Sequence, residues 1–493
     1  MALKDRPKNL GELKQSGWQS RTVKEEMRQN LLARIKSGKP LFDGIVGYEQ
    51  TVVPQLENAI LSQHNFILLG LRGQAKSRII RQLFTLLDEY IPVIPGTLLN
   101  EDPFNPISPR GKSRVRECGD SLPIEWLHRA ERFHEKLATP DVSIADLIGD
   151  IDPIKAAREK LDISNEEVIH WGIIPRTNRG IFAINELPDL QPRIQVGLLN
   201  ILEENDIQVR GFPLRVPLDM LLVFTANPED YTNRGNIITP LKDRIDSQII
   251  THYPRTIEEG KSITLSEITH KGVGIEIPDF IRDLIEEVSF QARSSEYVSQ
   301  TSGVSARVSI SAYENFLSNI ERRALMNKDN DFFPRMCDVY SIVPAITGKI
   351  ELVYEGEQEG PVLVSYNLIG AAINSVFSKI FPKPNKERSR PDRGEEANPY
   401  EPITDYFSSG KRLELSDQMP FNDYRKRLES VSGLREIVKK YFNSNNEREQ
   451  LLRMEFVLDA LHQNNMISRE LHDSVIHYSD VFSKMLSGMG GIQ

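Results

Sequence analysis

A glycine-rich segment that ends in Lys-Ser contains the residue types that point most directly to chemistry. After the apolar run Phe66–Leu69, residues 70–77 read Gly-Leu-Arg-Gly-Gln-Ala-Lys-Ser, and a helical pattern follows. Between a strand and a helix, such a loop turns backbone N–H groups toward phosphate oxygens, and the helix N-terminus adds its positive end. The lysine reaches the terminal phosphates, and the serine hydroxyl binds Mg²⁺. The predicted ATP-binding residues are Gly70, Leu71, Arg72, Gly73, Gln74, Ala75, Lys76 and Ser77.

The position before the lysine departs from the usual loop. Ala75 stands where the general phosphate-binding pattern has glycine. Alanine is tolerated there if its φ angle is negative, because a Cβ atom is costly only in the left-handed region. The assignment of this loop therefore carries the condition that φ at Ala75 is negative. A chance glycine-rich turn remains the alternative interpretation of this segment.

Two other apolar runs end in groups that suit nucleotide hydrolysis. Asn185 and Glu186 follow one run, and Asn227 follows another. A carboxylate at Glu186 can orient a water molecule and accept its proton. An amide at Asn227 can hold the attacking water and the terminal phosphate. We predict Ser77 and Asn185 as the residues nearest the Mg²⁺, although an amide brings no charge to the metal.

These side chains require a sheet that brings them together. Between about residues 42 and 252, short apolar runs alternate with helical segments, which is typical of an α/β domain with a parallel sheet. The candidate strands are residues 66–69, 181–184, 221–225 and 248–251. Their apolar character on both faces favours buried strands.

The order of these motifs resembles that of the magnesium-chelatase ATPase subunit and the related MoxR branch of the AAA+ ATPases. The resemblance covers roughly residues 42–320 and implies an AAA+ P-loop domain followed by a helical lid. It implies that residues 70–77 are Walker A, and that 181–186 are Walker B with Asn185 in place of the usual Asp. It also implies that Asn227 is sensor one, and that adenine is contacted by Ile45, Val46 and Gly47.

The same resemblance assigns two arginines. Arg244, in Leu-Lys-Asp-Arg, matches the arginine that inserts into the neighbouring subunit's site, and Arg307 matches sensor two at the start of a lid helix. Arg234 is the rival for the role in the neighbour's site. A plain ion pair of Arg244 with Asp243 or Asp246 is the simpler alternative, and Arg307 has the alternative of an ordinary surface residue.

The predicted organisation has six parts. Residues 1–40 are a lead-in, 41–255 the AAA+ domain, 256–330 the lid, 331–381 a segment with a β-hairpin, 382–400 a charged linker, and 401–493 a helical extension. The hairpin is expected at 350–355 and 362–364. An apolar stripe in the extension is either its core or a docking contact; it consists of Leu451, Met454, Val457 and Leu461.

Composition narrows the class of protein. The chain has 493 residues, a net charge of −9 and two cysteines. The negative charge argues against a nucleic-acid binder, and the cysteines form no zinc-binding pattern. No apolar run of about 18 residues predicts a membrane span, and we expect a cytoplasmic protein.

The predicted function is ATP-driven remodelling of a partner protein by a ring, a hexamer by the family resemblance. A partner with a von Willebrand-type domain fits that resemblance, although this chain lacks the metal-adhesion motif of such a domain. Two alternatives remain: the ATPase motor that drives metal insertion into a tetrapyrrole, and a nucleotide switch that does not hydrolyse ATP. Asn185 is the feature that favours the switch.

Overall fold

The chain divides into two compact units, Met1–His252 and Tyr253–Gln493. The computed structural model describes residues 6–159, 166–209, 215–228, 236–269, 274–328, 332–384, 398–442, 444, 446–472 and 475–481. Each unit has hydrophobic core clusters of its own. Arg234 and most of the predicted charged linker lie outside the described residues.

The first unit is an α/β domain built on a five-stranded sheet. Its elements, in chain order, are α1 (Leu10–Gln15), α2 (Val23–Lys36), α3 (Val52–Leu61), β1 (Phe66–Leu69), α4 (Lys76–Gln82), β2 (Tyr90–Val93), α5 (Pro109–Cys118), β3 (Glu125–His128), β4 (Phe133–Leu137), α6 (Ile144–Leu147), β5 (Gly149–Ile151), α7 (Pro153–Glu159), β6 (Ile169–Trp171), α8 (Ile173–Arg176), β7 (Gly180–Asn185), α9 (Pro192–Gly197), α10 (Leu199–Glu203), β8 (Asp206–Gln208), β9 (Arg215–Pro217), β10 (Met220–Ala226), α11 (Thr239–Asp243) and β11 (Ser247–Ile250).

The sheet has the order β11-β1-β10-β7-β4, and all its pairings are parallel. Strands β1, β7 and β10 are buried along almost their whole length, which explains their continuous apolar sequences. All four strands predicted from the sequence are present, but β11 lies at one edge of the sheet with only Ile249 buried, so its prediction as a buried strand is wrong. The fifth, β4, lacks an apolar run because it lies at the edge of the sheet and reads Phe-His-Glu-Lys-Leu.

The predicted lead-in is an integral part of this unit. Helix α2 begins with a capping box between Thr22 and Glu25. Its side chains Val23, Met27 and Leu31 are buried in the same core cluster as β1. Burial of three large apolar side chains explains why this basic segment packs onto the sheet.

The described part of the first unit also contains three two-stranded antiparallel sheets. Strands β8 and β9 pair with Asp206 opposite Pro217 and Gln208 opposite Arg215. The other two join β2 to β3 and β5 to β6.

The second unit is mainly helical. Its elements are α12 (Ile257–Glu267), α13 (Asp279–Ser294), α14 (Arg307–Asn327), α15 (Met336–Tyr340), α16 (Val343–Thr347), α17 (Tyr354–Glu359), α18 (Pro361–Ile380), α19 (Glu401–Ser408), β12 (Leu413–Ser416), α20 (Phe421–Glu429), α21 (Leu434–Tyr441), α22 (Glu447–Gln463), β13 (Ser468–His472) and β14 (Val475–Ser479). The three strands form an antiparallel sheet in the order β12-β14-β13.

The hairpin predicted around residues 350–364 is wrong, because helices α17 and α18 occupy this segment. Gly360, with φ 90°, separates the two helices, and Pro361 occupies the first turn of α18, where its missing N–H has no helical partner to lose. The apolar residues after it recur at helical spacing, with Val364 and Leu368 buried on one face.

The apolar stripe near the C-terminus is core and not a docking surface. Leu451, Met454, Val457 and Leu461 are each at most 2% exposed. They belong to the same core cluster as the lid helix α13, and Phe456 of α22 packs on Phe280 with ring centroids 5.3 Å apart. The segment predicted as a separate extension therefore shares one core with the predicted lid.

Helix α18 is, within the part of the chain that the structure describes, the one helix long and apolar enough to cross a membrane by length and composition. Half of its most apolar 18-residue stretch is buried inside the protein. Its buried residues, including Ile369 and Ile373, pack in the core of the second unit. A core helix of a globular unit meets the same criteria.

Candidate functional site

The glycine-rich loop connects β1 to α4, as its sequence predicts. Gly70 follows β1 directly, and a Cβ atom there would collide with Thr251 Oγ1 and Gln74 Oε1. These two groups are hydrogen-bonded to each other at 2.7 Å, and Thr251 Oγ1 also donates to the Leu69 carbonyl at 3.2 Å. Glycine is therefore required at position 70 by close packing against the end of β11.

The condition of a negative φ at Ala75 is not met. Ala75 has φ 56° and ψ 12°, which is the left-handed region, and it directly precedes the first residue of α4. The loop turns there so that the backbone can enter the helix, and glycine adopts this conformation at less cost than alanine. The left-handed backbone explains why the phosphate-binding pattern usually has glycine at this position. In this chain, the Cβ atom of Ala75 makes the same backbone conformation strained.

Lys76 lies at the centre of the site. Its side chain is buried, and Nζ donates to the carbonyls of Gly70 and Leu71 and to Asn227 Oδ1 at 2.6 Å. Since Asn227 directly follows β10 and Lys76 begins α4, the ammonium group links the phosphate-binding loop to the end of the neighbouring strand. Ser77, the next residue, is exposed at the start of the helix.

Glu186 lies beside this lysine–asparagine pair. Asn227 Nδ2 donates to Glu186 Oε2 at 3.0 Å, so that Lys76, Asn227 and Glu186 form one hydrogen-bonded row. The Glu186 backbone is left-handed, with φ 56°, and its N–H donates to Thr225 Oγ1 at 3.0 Å. The carboxylate predicted to activate water is therefore within one amide group of the predicted phosphate-binding lysine.

Asn185 faces a carboxylate on the edge strand. Its Oδ1 accepts from Thr225 Oγ1 at 3.3 Å, and its Nδ2 donates to Glu135 Oε2 at 3.4 Å. Glu135 lies on β4 and forms an ion pair with Arg81 of α4, with 2.7 Å between the nearest atoms. The charge of Glu135 raises the pKa of the Arg81 guanidinium through this hydrogen bond.

The residues predicted to contact adenine lie in the loop before α3. Ile45, Val46 and Gly47 are partly exposed, and Gly47 has φ 83°. The next residue, Tyr48, is buried and donates from its hydroxyl to the carbonyls of Gln74, at 3.0 Å, and His252, at 2.7 Å. This tyrosine fastens the predicted adenine segment to the phosphate-binding loop.

The predicted Arg244 has its partners elsewhere in the first unit, and the predicted Arg307 belongs to the second unit. Arg244 forms an ion pair with Glu203 at 2.5 Å and donates to the Pro240 carbonyl at 2.9 Å, so its partner is neither of the two aspartates considered from the sequence. Arg307 is the first residue of α14 in the second unit, and its side chain is exposed. The rival Arg234 lies outside the described residues.

The residues present fit Mg²⁺ bound with a nucleotide. Among the described residues, no group of three or more His, Cys, Asp or Glu side chains is arranged as a metal cage. Mg²⁺ in nucleotide sites keeps several waters and takes only one or two protein ligands besides phosphate oxygens. The exposed Ser77 hydroxyl and the side-chain oxygens of Asn185 on β7 and Glu135 on β4 are enough for a metal that keeps most of its waters.

Several side chains of the site escaped sequence reasoning. Tyr48, Thr225 and Thr251 act through hydrogen bonds to loop and strand backbone, which no spacing pattern reveals. Glu135 escaped because β4 has no strand signal. A signal did exist for Thr225, since it lies in the run that ends in Asn227 and is one of its few polar residues.

Comparison with known proteins concerns the fold. No family model matches the chain. The chain is similar to NtrX from Brucella abortus in complex with ADP (14% identity, TM-score 0.35), covering 58% of this chain and 52% of NtrX. It is similar to a protein of Cytophaga hutchinsonii assigned as an ATPase (17%, TM-score 0.30), covering 73% of this chain and 97% of that one.

A third similar structure is that of the BchI and BchD subunits of magnesium chelatase (18%, TM-score 0.33), covering 65% of this chain and 99% of the matched one. The chain spans about half the length of NtrX. At such low identities and TM-scores, these likenesses have no bearing on activity or partners.

Proposed function

We propose that the first unit binds ATP with Mg²⁺ and hydrolyses it. The observation that carries this proposal is the hydrogen-bonded row of Lys76, Asn227 and Glu186 at the edge where β1, β7 and β10 end. A lysine from a glycine-rich loop, an amide and a carboxylate are the three groups that bind the terminal phosphate, position a water and accept its proton.

Each residue has a defined task in this proposal. Lys76 exchanges its contacts with the Gly70 and Leu71 carbonyls for phosphate oxygens. Asn227 then orients the water, and Glu186 accepts its proton once released from the Asn227 amide. Bound Mg²⁺ neutralises phosphate charge, and Ser77 is the residue that would hold it. The left-handed turn at Ala75 directs the loop N–H groups toward the phosphates.

The test compares two variants at the two ends of the row. Lys76→Ala removes the phosphate partner, so binding of ATP measured by isothermal titration should be lost or greatly weakened. Glu186→Gln should still bind ATP but hydrolyse it at least about a hundredfold more slowly, the scale of lost general-base help. Glu125→Gln, on an exposed edge of β3, is the control that should change neither quantity. Unchanged ATP affinity in Lys76→Ala would overturn the ATP site.

A nucleotide switch without hydrolysis is the competing function. Two features favour it: the neutral Asn185 stands where the family resemblance implies an aspartate, and Glu186 accepts a hydrogen bond from Asn227. The two functions separate on purified wild-type protein. Steady phosphate release that disappears in Glu186→Gln supports the enzyme, whereas tight ATP binding with no release in either protein supports the switch.

We further propose that the chain works as a ring, a hexamer by the family resemblance, that remodels a partner protein. The support is that Arg244 is partly exposed and engages only groups outside the Lys76 row, which suits an arginine that acts on a neighbouring copy. Metal insertion into a tetrapyrrole would use the same ATP site. Formation of Mg-porphyrin by this chain with chelatase subunits would favour that alternative over protein remodelling.

A further inference from the structure

We propose that Glu135 supplies the negative charge near the bound Mg²⁺ that Asn185 lacks. This assignment rests on the proposed ATP site. A carboxylate is the common second charge near Mg²⁺ in nucleotide sites, because it attracts the metal and orders the waters around it. Asn185 has oxygen but no charge, so either the site has lost this charge or another residue provides it.

Register places Glu135 beside Asn185. Strands β4 and β7 pair in parallel with Glu135 opposite Ala183 and Leu137 opposite Asn185. Because side chains alternate along a strand, Glu135 and Asn185 belong to the same face of the sheet. The Glu135 carboxylate reaches the Asn185 amide at 3.4 Å.

Helix α4 covers this face and connects Glu135 to the phosphate-binding loop. Ser77 and Arg81 are four residues apart on α4, so they lie one above the other on one side of the helix. Arg81 contacts Glu135 with Nε at 2.9 Å from Oε1 and 3.1 Å from Oε2. The Ser77 and Arg81 backbones are therefore about one helical turn apart, ~5.4 Å along the axis. The Arg81 side chain links this side of α4 to Glu135.

The ion pair with Arg81 positions the Glu135 carboxylate and leaves it accessible to a metal. Arg81 is 62% exposed and Glu135 is 30% exposed. Exposed ion pairs contribute little free energy. The Mg²⁺–ATP complex can therefore replace this pair, because its phosphates offer negative charge to Arg81 and its metal offers positive charge to Glu135. Glu135 then acts on the metal through its water shell, and Arg81 is free to turn toward solvent or phosphate.

The experiment is a double-mutant cycle between Glu135 and Asn185, with a control variant at Arg81. The Mg²⁺ midpoint for binding a fluorescent ATP analogue is measured for the natural chain, Glu135→Gln, Asn185→Asp, and the two changes combined. Glu135→Gln should raise the midpoint by roughly fivefold, because one charge near the metal is lost. In the Asn185→Asp background the same change should have less than about half that effect, since the aspartate now carries the charge.

Arg81→Gln is the control that separates a metal role from a structural ion pair. If the pair only stabilises the fold, Glu135→Gln and Arg81→Gln should act alike in both melting temperature and Mg²⁺ midpoint. If Glu135 serves the metal, Arg81→Gln releases the Glu135 carboxylate from its ion pair and lowers the Mg²⁺ midpoint. Glu135→Gln shifts the same midpoint in the opposite direction. Mn²⁺ binding in the presence of ATP, followed by electron paramagnetic resonance, gives a second readout independent of turnover.

Two outcomes overturn the assignment in distinguishable ways. ATP binding whose Mg²⁺ midpoint ignores Glu135, or shifts equally with and without Asn185→Asp, overturns the role of Glu135 and leaves the ATP site standing. A chain that binds no ATP at any Mg²⁺ concentration overturns the ATP site, and the role of Glu135 falls with it.

Discussion

At the scale of single residues, the site is dominated by a few groups held in unusual positions. Ala75 and Glu186 both have left-handed backbones, and both are at the points where a strand or loop must turn toward the predicted phosphate position. Left-handed conformations in residues other than glycine persist only where the surroundings fix them, and they concentrate at functional sites. The strain at these two residues is consistent with a site shaped for a ligand.

Ala75→Gly should stabilise the first unit by up to about 1 kcal/mol, because relief of the left-handed Cβ exceeds the extra freedom that glycine gives the unfolded chain. All three tryptophans, Trp18, Trp126 and Trp171, belong to the first unit, so their fluorescence follows its unfolding in denaturant.

The matched control for this change is Ala33→Gly, which places the same substitution at an exposed helical position of α2. That variant should lose about 1 kcal/mol, since glycine is a poor helix former. Destabilisation of equal size in both variants would contradict the left-handed geometry at Ala75.

At the scale of elements, helix α2 is fastened to the sheet by buried polar groups. Asp219, directly before β10, accepts from the Val23 N–H at the start of α2 with both carboxylate oxygens at 3.0 Å. One turn later, Glu26 forms a buried ion pair with Arg132 at 2.6 Å. These contacts explain why a segment that reads as a basic lead-in is built into the α/β unit.

Stability of the first unit should depend on the titration of Asp219. Burial raises the pKa of this carboxyl to about 6. The hydrogen bond from the Val23 N–H and the charge of Arg179 lower the pKa but only partly offset the effect of burial. A carboxyl whose pKa is higher in the folded state than in the unfolded state binds protons more tightly when folded. Its contribution to stability is therefore largest below its unfolded value and falls as the pH rises through about 6.

Asp219→Asn removes this titration while keeping one oxygen for Val23. Relative to the natural chain, the variant should become progressively more stable as the pH increases from the ordinary pKa of 3.8 to about 6, and the difference should level off above that. Tryptophan-monitored unfolding in denaturant at each pH measures the difference. A difference that stays constant across this range would contradict the raised pKa of Asp219.

At the scale of the whole molecule, the chain forms two units with separate cores. The second unit contains the lid helices α13 and α14 together with everything that follows them. Arg453 of α22 lies over the Phe280 ring at 4.2 Å, a contact between α22 and α13 of the predicted lid. The lid predicted from the sequence is thus one part of a larger helical unit.

Removal of residues from 382 onward should therefore unfold the second unit and not merely remove an accessory surface. The deletion exposes the buried faces of α13 and α18, and loss of each large buried side chain costs several kcal/mol, about 3–5 for a phenylalanine. Limited proteolysis should cut residues 253–381 rapidly in the truncated chain. Deletion of residues 482–493 alone is the control, and equal protease resistance in both proteins would contradict a shared core.

The ring proposal is tested by mixing inactive variants. Arg244→Ala and Lys76→Ala should each be inactive alone, because such an arginine is worth roughly 10³-fold or more. Mixed rings should recover part of the ATPase rate, since some interfaces combine Lys76 of one copy with Arg244 of the next. Lys76→Ala mixed with Glu186→Gln is the control: both defects lie in the same site of one chain, so no activity should return. Absence of recovery in the first mixture would place Arg244 outside the neighbour's site.

The sequence by itself determined the central strands and the groups at their ends. Buried parallel strands require continuous apolar runs, and the loop chemistry at 70–77 depends on residue types in fixed order, so both are visible in a linear chain. It failed where a structure is decided by partners distant in sequence. Edge strand β4 has one neighbour and so needs no apolar run, and Glu135 on it was invisible for that reason.

The tertiary structure decided the remaining features. Helix α18 replaced the expected hairpin because a long core could bury one helical face, which a short hairpin would leave exposed. The stripe on α22 became core because α13 and α18 cover it. The left-handed turn at Ala75 and the row from Lys76 to Glu186 depend on how β1, β7 and β10 lie side by side, a relation that only the folded sheet establishes.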